Sequence, residues 1–196
     1  MTGTFIVIDG PDASGSTLHA RLLAERLRKE GREVLVTAEP TEGPVGLWIR
    51  ELLKEKKVPS STLQILFTAD RAWHVEQVIL PALREGKTVI SDRYSHSTVA
   101  YGMALGLDSD WLKEMNRSFP KPDATVFTLP PIRTCMERLS RREKQDFLEQ
   151  RDLQEGVHAA YRKIAEQDPA IVVVDTSGEK GDVSTFLWNA LRKVQS

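Results

Sequence analysis

The 196 residues include 27 basic and 28 acidic side chains, for a formal net charge of −1, and 40% of them are hydrophobic. So even a balance excludes a general nucleic-acid or membrane-binding surface and leaves only local charge clusters to interpret. There is no apolar stretch of about 18 residues and no basic-then-apolar leader, so a cytoplasmic protein is expected, and the single cysteine, Cys135, excludes an internal disulfide.

The chain is long enough for one α/β domain, 1–196, with its own core. The first predicted strand, Phe5–Ile8, runs into Gly10–Thr17, which reads GPDASGST. A helix-period segment follows over Thr17–Lys29, with Leu18, Leu22, Leu23, Ala24 and Leu27 on a broad apolar face and a stop at Gly31. Glu33–Thr37 is the second strand. Trp48, Ile49, Leu52 and Leu53 mark an amphipathic helix, and Leu63–Leu80 a longer one closed by Pro81. The third strand, Thr88–Ser91, opens into VISDRYSHSTVAYG. Asp110–Arg117 and Ile132–Arg141 read as helices, with strands at Thr125–Leu129 and Ile171–Val174. Five continuous apolar strands separated by helices predict a parallel sheet buried on both faces, a doubly wound fold. The charge-dense stretch Arg138–Arg151 is either a solvated surface or a mobile segment over an anionic ligand.

GPDASGST has the strand-turn-helix setting of a phosphate loop, G-x-x-x-x-G-K-[ST], with Ser16 where lysine is expected. Backbone N–H groups and the positive end of a helix dipole remain to bind phosphate. Gly10 and Gly15 permit close backbone approach, and Thr17 keeps the hydroxyl that would ligate Mg²⁺. Asp92, at the end of the third strand, is a Walker-B-like carboxylate for the same metal. Beside it, Arg93 can clamp phosphate oxygens with its planar fork.

Taken together, FIVIDGPDASGST, TAEPTEGPVGLWIREL, LFTADRAWHVEQVILPALREGKTVISDRYSHSTVAY, FPKPDATVF and RREKQDFLE resemble thymidylate kinases, of the nucleoside monophosphate kinase group. The resemblance implies a P-loop kinase fold with a five-stranded parallel sheet and a short lid, at about 138–151. It implies transfer of the γ-phosphoryl group of ATP to dTMP, with Mg²⁺, in a homodimer. Gly10, Ala13, Ser14, Gly15, Ser16, Thr17 and Leu18 would bind the ATP phosphates, and Thr17 and Asp92 the metal. On the acceptor side it implies Phe67 stacked on thymine, Arg71 on the base edge, Ser97 and Thr98 close to the base, and Tyr101 and Asp12 beside the sugar. Arg50 and Arg93 would hold the acceptor phosphate, with Glu39 close to the magnesium and phosphate region.

The departures from the family pattern matter as much. Where some members carry a loop arginine this chain has Ala13, so Ala13 and Ser16 together leave the loop without a cation. Family members that lack the loop arginine carry the catalytic arginine in the lid, which points to Arg141 or Arg142, with Arg138 and Lys144 nearby. Gly102 stands where the family often has a glutamine near the base. Two other readings stay open on the sequence: a non-catalytic nucleotide-binding homologue, and a kinase of a different nucleoside monophosphate.

Overall fold

The computed structural model describes residues 3–55, 58–142 and 146–194. Five strands, β1 (Thr4–Asp9), β2 (Val34–Ala38), β3 (Thr88–Asp92), β4 (Ala124–Thr128) and β5 (Ile171–Val174), form one parallel sheet in the order β2-β3-β1-β4-β5. Each strand lies within one or two residues of its predicted span. In the centre Ile8 pairs with Asp92 of β3, and Asp9 pairs with Phe127 of β4. The carboxyl ends of β1, β3 and β4 therefore lie side by side, where an open α/β sheet offers its ligand crevice.

Both faces are covered, as the apolar strands require. Successive residues of β1 point to opposite faces. Ile6 and Ile8 pack with Ala20, Leu23 and Leu27 of α1 (Ser16–Lys29), whereas Phe5 and Val7 pack with Val75, Ile79 and Leu83. A third apolar cluster joins α2 (Pro44–Glu55), α3 (Ser60–His74), α5 (Ser95–Ala104), α6 (Ser109–Asn116) and α8 (Arg151–Gln167) beside the crevice. The remaining helices are α4 (Leu80–Arg84), α7 (Ile132–Leu139) and α9 (Lys180–Val194). Among the described residues, no helix is long and apolar enough to cross a membrane.

Three local expectations are corrected. The helix from Leu63 does not close at Pro81. Residues Val75–Ile79 widen into a π-helical turn in which the Leu80 N–H donates to the Val75 carbonyl, and the chain continues as α4 to Arg84. The wider turn carries the chain past a proline that would clash with the carbonyl four residues back in a regular helix. The helix from Ile132 ends at Leu139, two residues early, so Arg141 lies in the following turn. Leu18 and Trp48 are not core residues: they are 36% and 56% exposed, because the buried face of α1 runs through Ala20, Leu23, Ala24 and Leu27 and that of α2 through Ile49 and Leu53.

Candidate active site

The stretch from Gly10 to Gly15 connects β1 to α1 across the top of the sheet. A Cβ at Gly10 would stand 2.5 Å from the Thr128 carbonyl oxygen, so the loop lies against β4 only because no side chain intervenes. Gly15, at φ 99°, starts α1, which carries no side-chain cap, so its first N–H groups are left for a ligand. Ala13 (φ 58°) and Arg93 (φ 73°) are the non-glycine residues held left-handed among the described residues. Both lie in this crevice, where backbone strain commonly accompanies function. Ser14 is buried and its hydroxyl is 2.7 Å from that of Thr128, which fixes the loop from below.

The loop has no cation of its own, but three arginines from other elements surround it. Arg93, Arg138 and Arg142 line one cavity of about 570 Å³ together with Ala13, Gly15, Ser16, Thr17 and Leu18. Arg138, in the last turn of α7, donates from Nη1 to the Ala13 carbonyl (3.2 Å) and from Nη2 to the Thr176 carbonyl (2.7 Å). The Thr176 hydroxyl in turn donates to the Ser14 carbonyl. Arg142 is paired with Glu149 and remains 47% exposed at its side chain. Burial pushes the Glu149 carboxyl up from its ordinary pKa, and the Arg142 charge works in the opposite direction. Arg141 is exposed and is not among the residues lining this cavity. Lys144 lies outside the described residues.

Arg93 and Asp12 stand between the loop cavity and a second, smaller one of about 150 Å³. Arg93 donates from Nη1 to the Gly10 carbonyl (2.9 Å) and to Ser97 Oγ (3.2 Å), and from Nη2 to Asp12 Oδ1 (2.6 Å). Burial works against its charge, but the oxygens of Tyr101 and Asp12 outweigh that and hold its pKa above the ordinary guanidinium value. The other oxygen of Asp12 accepts from Tyr101 Oη and Gln154 Nε2, each at 2.7 Å. Burial raises the pKa of Tyr101, so its hydroxyl stays a donor.

Phe67, Arg71, Thr98, Tyr101, Ser97, Arg50 and Glu39 all line the smaller cavity, so the acceptor-side residues named from the sequence converge on one place. Arg71 is fully buried; it donates to Thr98 Oγ1 (3.0 Å), to Asn116 Oδ1 and to Glu39 Oε2 (2.6 Å). Glu39 also meets His74 Nδ1 at 3.0 Å. Arg50 donates to the Pro40 carbonyl and pairs with Glu42 at 3.2 Å.

Thr17 Oγ1 donates to Asp92 Oδ2, joining the loop to the end of β3. The other carboxylate oxygen of Asp92 is buried and has no hydrogen-bond partner among the described residues. A hydroxyl and an unused carboxylate oxygen beside a phosphate loop form a donor set that fits Mg²⁺, which takes one or two protein oxygens and completes its shell with phosphate and water.

Four contributors had no signal in the sequence. Asp9 accepts at Oδ1 from the Gly10 N–H (2.9 Å), Ser97 Oγ (2.6 Å) and Tyr161 Oη (2.6 Å), and at Oδ2 from the N–H groups of Tyr94 (3.2 Å) and Ser97 (3.1 Å). It thereby ties the phosphate loop to the turn carrying Arg93. Asp146 and Leu148, within the segment 138–151, line the smaller cavity, and Gln154 of α8 holds Asp12 and the Leu148 carbonyl beside it. Asp9→Ala is expected to leave these buried donors without an acceptor and to cost about 3 kcal/mol or more. In a thermal melt that is a fall of roughly 6–12 °C in Tm.

A family model described as thymidylate kinase matches residues 8–187. The chain is 40% identical over 190 residues to a probable thymidylate kinase of Pyrococcus horikoshii, covering 93% of each chain. It is 36% identical over 203 residues to a thymidylate kinase of Thermomicrobium roseum, covering 97% of this chain and 95% of the relative. With a thymidylate kinase of Exiguobacterium sibiricum the identity is 35% over 197 residues, covering 95% and 93%.

Proposed function

The chain belongs to the thymidylate kinase family, and from that membership we propose that it transfers the γ-phosphoryl group of ATP to dTMP, giving dTDP and ADP, in the cytoplasm. The observation that carries this reading is the shared wall of Asp12 and Arg93 between a phosphate-loop cavity and a cavity containing Phe67 and Arg71. A donor in the first and an acceptor in the second would meet at one guanidinium.

In this reading the N–H groups of Ala13, Ser14, Gly15, Ser16, Thr17 and Leu18 and the α1 dipole hold the ATP phosphates, with Gly10 seating the loop against β4, and Thr17 and Asp92 hold Mg²⁺. When bound, the metal adds charge neutralisation on the donor phosphates. Arg50 and Arg93 hold the acceptor phosphate, Phe67 stacks on the thymine, and Arg71, Ser97 and Thr98 lie beside the base. Asp12 and Tyr101 flank the sugar, and Glu39 fixes the Arg71 guanidinium. The acceptor phosphate is already a nucleophile, so the residues serve to align it and to neutralise charge rather than to remove a proton. The segment 138–151 acts as the lid; Arg142 exchanges Glu149 for the transferring phosphoryl group and water is excluded.

Release of ADP, measured in a coupled assay with dTMP, dUMP, dCMP and dGMP, tests the proposal. ADP release dependent on dTMP supports it, and nucleotide binding without turnover would sink it in favour of a binding protein.

We further propose a homodimer through α2 and α3. Leu47 and Trp48 on α2 and Ile65 on α3 are about half exposed, and large exposed apolar side chains on two helices that pack together suit an interface. Trp48→Glu should convert a dimer into a monomer in sedimentation velocity; a monomer before the substitution would dispose of the idea.

A further inference from the structure

Gln64 lies one turn before Phe67 and two turns before Arg71 on α3, so the three share a helix face, and all three line the smaller cavity. Gln64 is completely buried, yet among the described residues neither its Oε1 nor its Nε2 has a hydrogen-bond partner. A carboxamide buried with both ends unused is costly, and native proteins retain one where a ligand completes it. Among the described residues, the Nε–H of Arg71, also buried, is the other unpartnered polar group on this face. Its Nη atoms, by contrast, are committed to Thr98, Asn116 and Glu39.

From this arrangement we infer that Gln64 is a specificity residue that hydrogen-bonds the base edge of the acceptor. The inference rests on the reading of dTMP as acceptor. An arginine N–H can only donate, whereas a carboxamide offers an acceptor and two donors. Brought together on one cavity, they match an edge that presents a carbonyl oxygen next to an N–H, as a pyrimidine-dione does at O4 and N3. Arg71 Nε donates to O4, and the Gln64 carboxamide oxygen accepts from N3–H. Cytosine presents an amino group where O4 would be, so it turns a donor toward Arg71 and is disfavoured.

Gly102 sharpens the point. Where the family resemblance puts a base-side glutamine on α5, a Cβ would stand 2.5 Å from Leu112 Cδ1, inside the core. This chain supplies the amide from α3, across the cavity, instead.

The test compares the unchanged protein with Gln64→Leu, using dTMP, dCMP and N3-methyl-dTMP as acceptors. The substitution keeps the volume and removes the unpaired amide, so Tm should hold or rise. KM for dTMP should rise about tenfold or more, the worth of a buried hydrogen bond lost, with kcat within about twofold because the base edge is remote from the phosphates. The preference for dTMP over N3-methyl-dTMP, strong in the unchanged protein, should narrow at least about tenfold, because the lost partner is the one N3–H uses. Gln64→Met is the second variant should Gln64→Leu fold poorly. If the unchanged protein turns over dTMP and the variants keep the same KM and the same preference, the inference falls alone. If the unchanged protein turns over no dTMP, the reading of the reaction falls and the inference with it.

Discussion

Arg93→Gly is expected to lower kcat/KM for dTMP about a thousandfold, the order seen when an arginine that neutralises transferring phosphate is removed. Glycine is the informative substitution because Arg93 sits at φ 73°, where alanine would keep the backbone strain and glycine relieves it. A stable but inactive Arg93→Gly protein therefore isolates the guanidinium from the turn that carries it. The same change frees Asp12 Oδ1 and the Gly10 carbonyl, both now held by Arg93. Arg93→Lys should recover little, since a point charge cannot span the loop carbonyl, Asp12 and a phosphate as a planar fork does. Steady-state kinetics with a thermal melt of each variant provides the check. A fall of less than about tenfold, small beside that loss, would remove Arg93 from the reaction centre.

Arg142→Ala should lower kcat by a similar factor, about a thousandfold, with a smaller change in the KM for ATP. Of the two catalytic candidates in the lid, Arg142 lines the loop cavity, whereas Arg141 is exposed outside it. Arg141→Ala should thus be mild. Because the loop has Ala13 and Ser16 where cations would stand, Ser16→Lys should preserve or raise the activity of the unchanged protein and restore part of what Arg142→Ala loses. The two substitutions would then be non-additive, as expected of groups acting on the same oxygens. Full activity in the Arg141, Arg142 double variant would exclude the lid from charge neutralisation.

Several residues that the structure brings together could be named in advance because their clues are short-range. A glycine-rich turn between an apolar strand and a helix is a local pattern with the setting of a phosphate loop. Phe67 and Arg71, four residues apart on one helix, reach the same cavity whatever surrounds them. Asp92 was legible as the last residue of a buried strand, and it does meet Thr17. The contact of Arg138 with the loop backbone was not, although the residue is named beside the lid candidates. Arg138 comes from α7, and nothing in its neighbourhood distinguishes it from the surface charges of the same helix. The amide of Gln154 on Asp12 bridges 142 residues of chain, and the Tyr161 hydroxyl on Asp9 bridges 152.

The sequence by itself determined the five strands, the parallel α/β order, the phosphate loop and the family. Periodicity, β-branched runs and glycines act through the backbone of their own segment, so they survive without knowledge of neighbours. Only the tertiary structure decided which cations surround a loop that has none, which carboxylate ties β1 to the Arg93 turn, and which buried carboxamide is left without a partner among the described residues. Those outcomes depend on where the carboxyl ends of β1, β3 and β4 meet the helices that cross over them. Hydrogen bonding and charge pairing act over a few ångströms in space, and separation along the chain carries no record of that proximity.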